Sequence, residues 1–277
     1  MSNRSFSVKV LDRLVRYTRA ATAAAHQRLR RQELADASLA SALSIPTHMT
    51  AGELNVLYDL AANAPEGARA LEIGSYLGAS SCYLAAGLSR RGGHLTCVDT
   101  WANETMPEGE RDTFAEFRRN TSGAGSMIST VRKRSDELTE GDVTPPFDLV
   151  FIDADHSYPA VKRDVEIVRD WLRDGGVLAF HDTTYFEGVS RVVGEILATG
   201  QWQIMGNIDS LTWLRKLGRT GRFPNPMAEG ELSGSSEFLG VPRGAEGGHH
   251  ARNREKPRTP EELRGTPRNP RDPRAQP

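Results

Sequence analysis

Five polar residues are spaced so that each falls where a short apolar run ends: Glu72, Asp99, Asp153, His181 and Asp182. Carboxylates and imidazoles accept hydrogen bonds from hydroxyls, carry protons and ligate cations. A set of them gathered at one edge would make a reaction site. The first of the five opens the loop Glu72-Ile-Gly-Ser-Tyr-Leu-Gly-Ala-Ser80. Gly74 allows a sharp turn and close approach to a ligand, and Gly78 permits tight entry into a following helix. The spacing is Gly-x-x-x-Gly. It is neither the Gly-x-Gly-x-x-Gly of dinucleotide-binding proteins nor a P-loop, which requires Gly-Lys-Ser/Thr. A wider turn with an acid ahead of it suits a ligand without a pyrophosphate. Asp99 follows Gly74 by 25 residues, where a carboxylate can accept bonds from two ribose hydroxyls.

The elements that must position these residues alternate along the body. A helix is expected over Met49 to Ala62, then a strand over Ala68 to Ile73 and a helix from Ala79 to Leu88. A second strand over His94 to Val98 ends on Asp99. Phe114 and Phe117 mark a helix before a third strand at Met127 to Val131. The fourth strand, Phe147 to Ile152, is apolar enough to be buried on both faces. Tyr158, Val161, Val165, Val168, Trp171 and Leu172 keep helical period, with Gly175-Gly176 as the stop. A fifth strand, Val177 to Phe180, and a helix over Val189 to Ala198 follow. Trp202 to Met205 and Leu211 to Leu214 form a closing antiparallel pair around Asn207-Ile-Asp-Ser. This predicts an α/β domain: a doubly wound, seven-stranded, mostly parallel sheet with helices on both faces and a final antiparallel strand. Ligands of such sheets bind outside the carboxyl ends of the strands, which is where the five polar residues fall.

Composition sets the outer limits. The chain has 277 residues and a formal net charge of -1. That near-zero total divides into +5 over residues 1–43, −10 over 44–242 and +4 over 243–277. The acidic body lacks the continuous basic face that phosphate contacts need, which argues against nucleic acid as partner. Two cysteines, Cys82 and Cys97, exclude a disulfide scaffold and fit a reducing, cytoplasmic compartment. No apolar run approaches the length of a membrane span, and the N-terminus lacks a signal-peptide pattern.

Three segments follow: a basic helical extension over 1–43, the domain over 44–219, and a Pro-, Gly- and Arg-rich tail over 220–277 expected to be disordered. The His249-His250 pair in that tail has too few companions to make a metal site. In the extension, Val8, Leu11, Val15, Thr18, Thr22, Ala25 and Leu29 form one seam. Three arrangements satisfy that seam: a coiled coil forming a homodimer, a helix laid over the body, or a basic helix at a membrane surface. Its two threonines and alanine favour packing on its own body or a sister subunit over lipid.

Glu72-Ile-Gly-x-Tyr-x-Gly-x-Ser80, Val98-Asp99, Phe151-Ile-Asp-Ala-Asp155 and Phe180-His-Asp-Thr183 together resemble the class I S-adenosylmethionine-dependent methyltransferases. The likeness is to their small-molecule O-methyltransferase branch, which includes the caffeoyl-CoA, catechol and macrolide-sugar enzymes. It covers roughly residues 50 to 216 and implies a Rossmann-like fold with S-adenosylmethionine as cofactor. It further implies that Gly74, Ser75, Tyr76, Gly78 and Ser80 wrap the methionine part, with Glu72 orienting the loop. Asp99 would hold the ribose, and Trp101, Ser135 and Asp136 would lie near the adenine. Asp153 would border both the cofactor and a metal.

The resemblance also implies a divalent cation on Asp153, His181 and Asp182. The pair after the fifth strand is Asp-Asn or two acids in the metal-dependent relatives, whereas here it is His181-Asp182. Carboxylates favour Mg²⁺, and an imidazole tilts the set toward Mn²⁺, Fe²⁺ or Zn²⁺. His156 stands where relatives place a proton-removing lysine, and Asp155 is a second candidate base. No Asn/Asp-Pro-Pro-Tyr/Phe follows the fourth strand, so a base amine is disfavoured as acceptor and a small-molecule hydroxyl favoured. The alternative is a binding or regulatory protein that keeps the cofactor fold without catalysis.

Overall fold

The computed structural model describes residues 24–104 and 108–218. The expected tail over 220–277, with its histidine pair, and most of the N-terminal seam (Val8 to Thr22) lie outside them. Seven strands form one sheet: β1 (Arg69–Ile73), β2 (His94–Asp99), β3 (Ile128–Arg132), β4 (Phe147–Ile152), β5 (Leu172–Phe180), β6 (Trp202–Ile208) and β7 (Leu211–Lys216). Their order is β3-β2-β1-β4-β5-β7-β6. All neighbouring pairs from β3 to β5 are parallel, and β7 runs antiparallel to both β5 and β6. This is the Rossmann-like doubly wound sheet expected from the alternation.

Register brings the strand ends together. Ile73 pairs with both Val98 and Ile152, and Ile152 pairs with Phe180. The ladder then continues by one bond each: Gly74 N–H to Val98 O, Asp153 N–H to Ile73 O and His181 N–H to Ile152 O. Gly74, Asp99, Asp153 and His181 therefore leave the sheet at one level. Because side chains alternate faces along a strand, Leu149 and Phe151 pack on one side and Val150 and Ile152 on the other.

The first face is covered by α2 (Ala51–Ala62) and α3 (Ala79–Ser89), the second by α5 (Tyr158–Trp171) and α6 (Glu187–Ala198). A short α4 (Phe114–Asn120) precedes β3. α3 is buried on all sides through Leu88 because it lies between the sheet and α2. Gly87 allows that approach: a Cβ there would stand 2.4 Å from the Tyr58 carbonyl. α2 starts at a capping box, in which Thr50 Oγ1 accepts from the Glu53 N–H and the Glu53 carboxylate accepts from the Thr50 N–H.

Two sequence expectations need correction. Gly175-Gly176 does not end a helix: α5 stops at Trp171, where Leu172 turns extended (φ −82°, ψ 128°). The glycines lie instead in an irregular stretch of β5, whose pairing jumps from Phe147–Leu172 to Leu149–Val177. The N-terminal helix, α1, is described over 24–36, so the helical extension expected over 1–43 stops short of its end and gives way to a 3₁₀ turn at Ala40–Ser44. Within it, seam residue Leu29 is 58% exposed, and the residue buried against the domain is Leu34.

Candidate active site at the strand ends

Glu72 anchors the glycine loop from behind. It is fully buried and accepts from Ser75 Oγ at 2.8 Å, from Ser81 Oγ and from Cys97 Sγ at 3.3 Å. Burial pushes its carboxyl pKa up, and the surrounding Ser80, Ser81, Ser75 and Cys97 donors resist that shift. Replacing Glu72 by alanine leaves these buried donors without an acceptor. We expect urea unfolding to show a loss of about 3 kcal/mol, with Glu72→Gln, which keeps an acceptor oxygen, losing less. An alanine variant as stable as the parent would remove this anchoring role.

The loop also leans on Asp99. Its Oδ2 accepts the Ser75 and Tyr76 N–H groups, both at 2.8 Å, and its Oδ1 accepts the Trp101 N–H at 2.6 Å. A carboxylate offers about four acceptor positions, so roughly one remains for a ligand. Those bonds hold Tyr76 in a left-handed conformation (φ 44°). Gly74 (φ 88°) turns the chain so close to β4 that its Cα faces the Asp153 carbonyl. Gly78 (φ 91°) caps α3 against Thr121 and Phe117.

A cavity of about 350 Å³ opens over these ends, lined by Gly74, Tyr76, Asp99, Ser135, Asp136, Asp153 and Asp155 among others. Of the loop residues expected to wrap a cofactor, Gly74 and Tyr76 face the cavity. Glu72, Ser75, Gly78 and Ser80 instead sit behind it as the loop's support. Ser135 and Asp136 reach the cavity from a 3₁₀ turn after β3. Asp136 is held by Arg134 at 3.1 Å and Arg163 at 3.0 Å, which keep its carboxyl pKa low. The expectation for Trp101 is corrected. It is fully buried, with ring centroids 4.8 Å from both Phe114 and Phe117, and belongs to the core rather than the cavity wall.

Asp153, His181, Asp182 and His156 do converge. His181 Nδ1 lies 3.2 Å from Asp153 Oδ1 and 3.4 Å from Asp182 Oδ2. His156 Nε2 lies 3.1 Å from Asp182 Oδ2 and 3.7 Å from Asp153 Oδ1, and its ring stacks on Phe186 at 4.2 Å. Burial opposes charge on His181, but the two carboxylates outweigh it and push its pKa up to about 11. Burial likewise opposes charge on Asp153, yet His156 and His181 bring its carboxyl down to about 2. His156 is raised above the ordinary histidine value, because Asp153 and Asp182 more than offset its burial. Asp155 stands apart from this cluster. Its Oδ1 accepts the Ser157 N–H at 2.8 Å and so shapes the turn into α5.

Sequence reasoning missed Glu53. It is buried on α2, 3.3 Å from His181 Nε2, and its Oε1 accepts from both the N–H and Oγ of Ser210. Ser210 Oγ in turn lies 3.0 Å from His181 Nε2. Burial opposes its charge, but the Thr50 and Ser210 bonds keep its carboxyl pKa low. The pattern Thr50-x-x-Glu53 marks a helix start, but nothing local marks its reach to a residue 157 positions away.

Residues 71–183 match a family described as "Methyltransferase domain". A putative caffeoyl-CoA O-methyltransferase from Staphylococcus aureus is similar in structure at 18% identity and TM-score 0.54, over 73% of this chain and 100% of that one. A methyltransferase from Podospora anserina, bound to S-adenosylhomocysteine, matches at 14% identity and TM-score 0.51, over 72% and 96%. An O-methyltransferase from Bacillus cereus in complex with S-adenosylhomocysteine matches at 20% identity and TM-score 0.48, over 67% and 91%. The sequence match over residues 71–183, the strand order and the glycine loop between β1 and α3 make this chain similar to methyltransferases, in sequence over that stretch and in fold over the domain.

Proposed function

We propose that the domain methylates a hydroxyl of a small molecule, a phenol, sugar or natural product, at the cluster of His156, Asp153 and Asp182. The observation that carries this reading is a histidine, paired at 3.1 Å with Asp182 and 3.7 Å from Asp153, the carboxylate that lines the strand-end cavity together with Gly74 and Tyr76. S-adenosylmethionine supplies the methyl group. The chain's own task is to hold donor and acceptor in line and to take the hydroxyl proton. His156 takes that proton, and Asp182 and Asp153, which face its Nε2, stabilise the imidazolium that forms, consistent with its raised pKa. Phe186, stacked on His156, and the exposed Tyr185 offer an apolar wall to an organic acceptor. The S-adenosylhomocysteine held by the Podospora neighbour supports the same donor here.

The donor set fits a divalent cation. One atom each from Asp153, His181 and Asp182 lies within 4.8 Å of the others. His181 turns Nδ1 to the carboxylates while Nε2 points to Ser210 and Glu53, the outer bond that orients a ligating histidine. A cation held there would lower the pKa of the acceptor hydroxyl. No described helix is long and apolar enough to cross a membrane. Two free buried cysteines support a reducing, cytoplasmic setting, and the exposed Leu29 supports a second copy as partner of α1.

Calorimetry with S-adenosylhomocysteine, followed by radiolabelled methyl transfer to phenols, catechols and sugars with and without EDTA, tests this reading. Binding and transfer to a hydroxyl are expected, with a drop on chelation reversed by Mg²⁺ or Mn²⁺. Binding of NAD(H) alone would overturn the donor, binding without any transfer would favour a regulatory protein, and full activity in EDTA would remove the cation.

A further inference from the structure

The bonds behind His181 decide which of its ring atoms can face a cation. Glu53 is 1% exposed, and each of its oxygens already takes a backbone N–H. Oε2 accepts from the Thr50 N–H at 2.7 Å, and Oε1 accepts from the Ser210 N–H at 2.8 Å. The Ser210 hydroxyl gives its single hydrogen to the same Oε1, at 2.7 Å. An ionised carboxylate has no hydrogen to donate, and the hydroxyl has already placed its own. The far side of the His181 ring therefore meets acceptors.

Nε2 of His181 lies 3.0 Å from Ser210 Oγ and 3.3 Å from Glu53 Oε2. The ring is 4% exposed. A bare Nε2 would set its lone pair against two oxygens in the interior, which is costly, whereas an Nε2–H gives both of them a donor. The partners thus fix the tautomer. Nδ1 is the remaining ring nitrogen, and it turns to Asp153 Oδ1 at 3.2 Å and Asp182 Oδ2 at 3.4 Å.

We propose that Glu53 is a positioning residue: with Ser210 it keeps the His181 hydrogen on Nε2, and so leaves Nδ1 as the atom that ligates a divalent cation beside Asp153 and Asp182. This rests on the cation reading given above. A carboxylate is needed rather than an amide of the same size. Glutamine must turn its NH₂ either to the Thr50 N–H and the ring or to the Ser210 N–H, so a buried backbone donor loses its acceptor in both orientations. With the NH₂ toward the ring, Nε2 becomes the acceptor, the hydrogen moves to Nδ1 and the ligating atom is lost.

The test is calorimetry of Mn²⁺ and Mg²⁺ on the full chain and on Glu53→Gln, Ser210→Ala and Thr50→Ala, with metal-free melting curves and nitrogen NMR of the histidine rings with Mg²⁺ bound. In the parent, His181 should carry its hydrogen on Nε2 alone. Glu53→Gln should weaken Mn²⁺ roughly 10- to 100-fold. Ser210→Ala removes one of the two acceptors and leaves Glu53 in place, so it should weaken Mn²⁺ roughly 3- to 10-fold. It decides the matter if Glu53→Gln does not fold. Thr50→Ala is the structural control: it loses the helix cap and the bond to Asp209 but keeps the Thr50 N–H on Glu53. Its melting temperature should fall while its Mn²⁺ affinity stays at the parent's. Parental Mn²⁺ affinity in Glu53→Gln and Ser210→Ala, or a His181 hydrogen on Nδ1 with Mg²⁺ bound, overturns the proposal. A loss in Thr50→Ala as large as in Glu53→Gln makes Glu53 a structural acid and overturns it too. No Mn²⁺ or Mg²⁺ binding by the parent would instead overturn the cation reading, and this proposal with it.

Discussion

Gly74→Ala is expected to lower the stability of the domain by about 4 kcal/mol and to abolish cofactor binding. Two independent costs add. The residue sits at φ 88°, a conformation that costs a residue with a Cβ about 1–2 kcal/mol. That Cβ would also stand 2.0 Å from the Asp153 carbonyl oxygen and 2.5 Å from its carbon. Both atoms are backbone, so no rotamer change relieves the overlap, and forced repacking of this kind costs about 1–3 kcal/mol. The chain can respond only by parting the ends of β1 and β4, which carry Gly74 and Asp153 into the cavity wall. For a domain of this size the melting temperature should fall by roughly 10 °C, with no heat of binding for S-adenosylhomocysteine. Gly67→Ala is the control: its φ is 65° but nothing lies within 4 Å of its added Cβ, so it should cost only about 1 kcal/mol. Equal melting temperatures for the two variants would refute the argument.

Asp153→Asn is the second large effect, expected to reduce kcat by roughly 1,000-fold while the fold persists. The amide keeps the size of the side chain but removes the charge facing His156 at 3.7 Å and His181 at 3.2 Å. Both histidines then lose the partner that raises their pKa values, and a cation would lose a carboxylate ligand. The sign for the base follows directly. His156 must be neutral to take a proton, and its pKa is raised in the parent, so the parent's activity falls as pH drops through that raised value. In Asp153→Asn the pKa moves down, and the acidic limb of the residual pH–rate profile should move to lower pH. An unshifted limb with reduced kcat would mean that another group is the base. Retention of near-parental kcat would remove Asp153 from the site.

The architecture was legible because its signals are local and periodic. Apolar runs of strand length alternate with helical periods, and parallel strands must place their carboxyl ends at one edge. From this alone Glu72, Asp99, Asp153, His181 and Asp182 were read as neighbours. Gly74 and Gly78 were also readable, since a strand-to-helix turn without a Cβ penalty needs glycine. The closing hairpin was visible for the same reason, as two short apolar runs around a polar turn.

Asp164 shows where the reading stopped short. It lies on the stripe of α5 that carries Val161, Val165 and Val168, so an acid on a buried face was already present in the helical period. The period does not say whether a partner waits there. Gly175-Gly176 misled because glycines end helices and irregular strands alike.

Sequence by itself determined the sheet, the loop and the residues that leave the strand ends, because periodicity and turn chemistry act over a few neighbours. Tertiary structure alone decided what each side chain faces. Trp101 turned into the core between Phe114 and Phe117. Asp99 spent most of its acceptor capacity on the loop's own N–H groups. His156 joined the carboxylates while Asp155, one residue earlier, bonded its own turn. Glu53 reached His181 and Ser210 across most of the domain. Such choices depend on partners distant in the chain, brought within hydrogen-bonding range only once both faces of the sheet are packed.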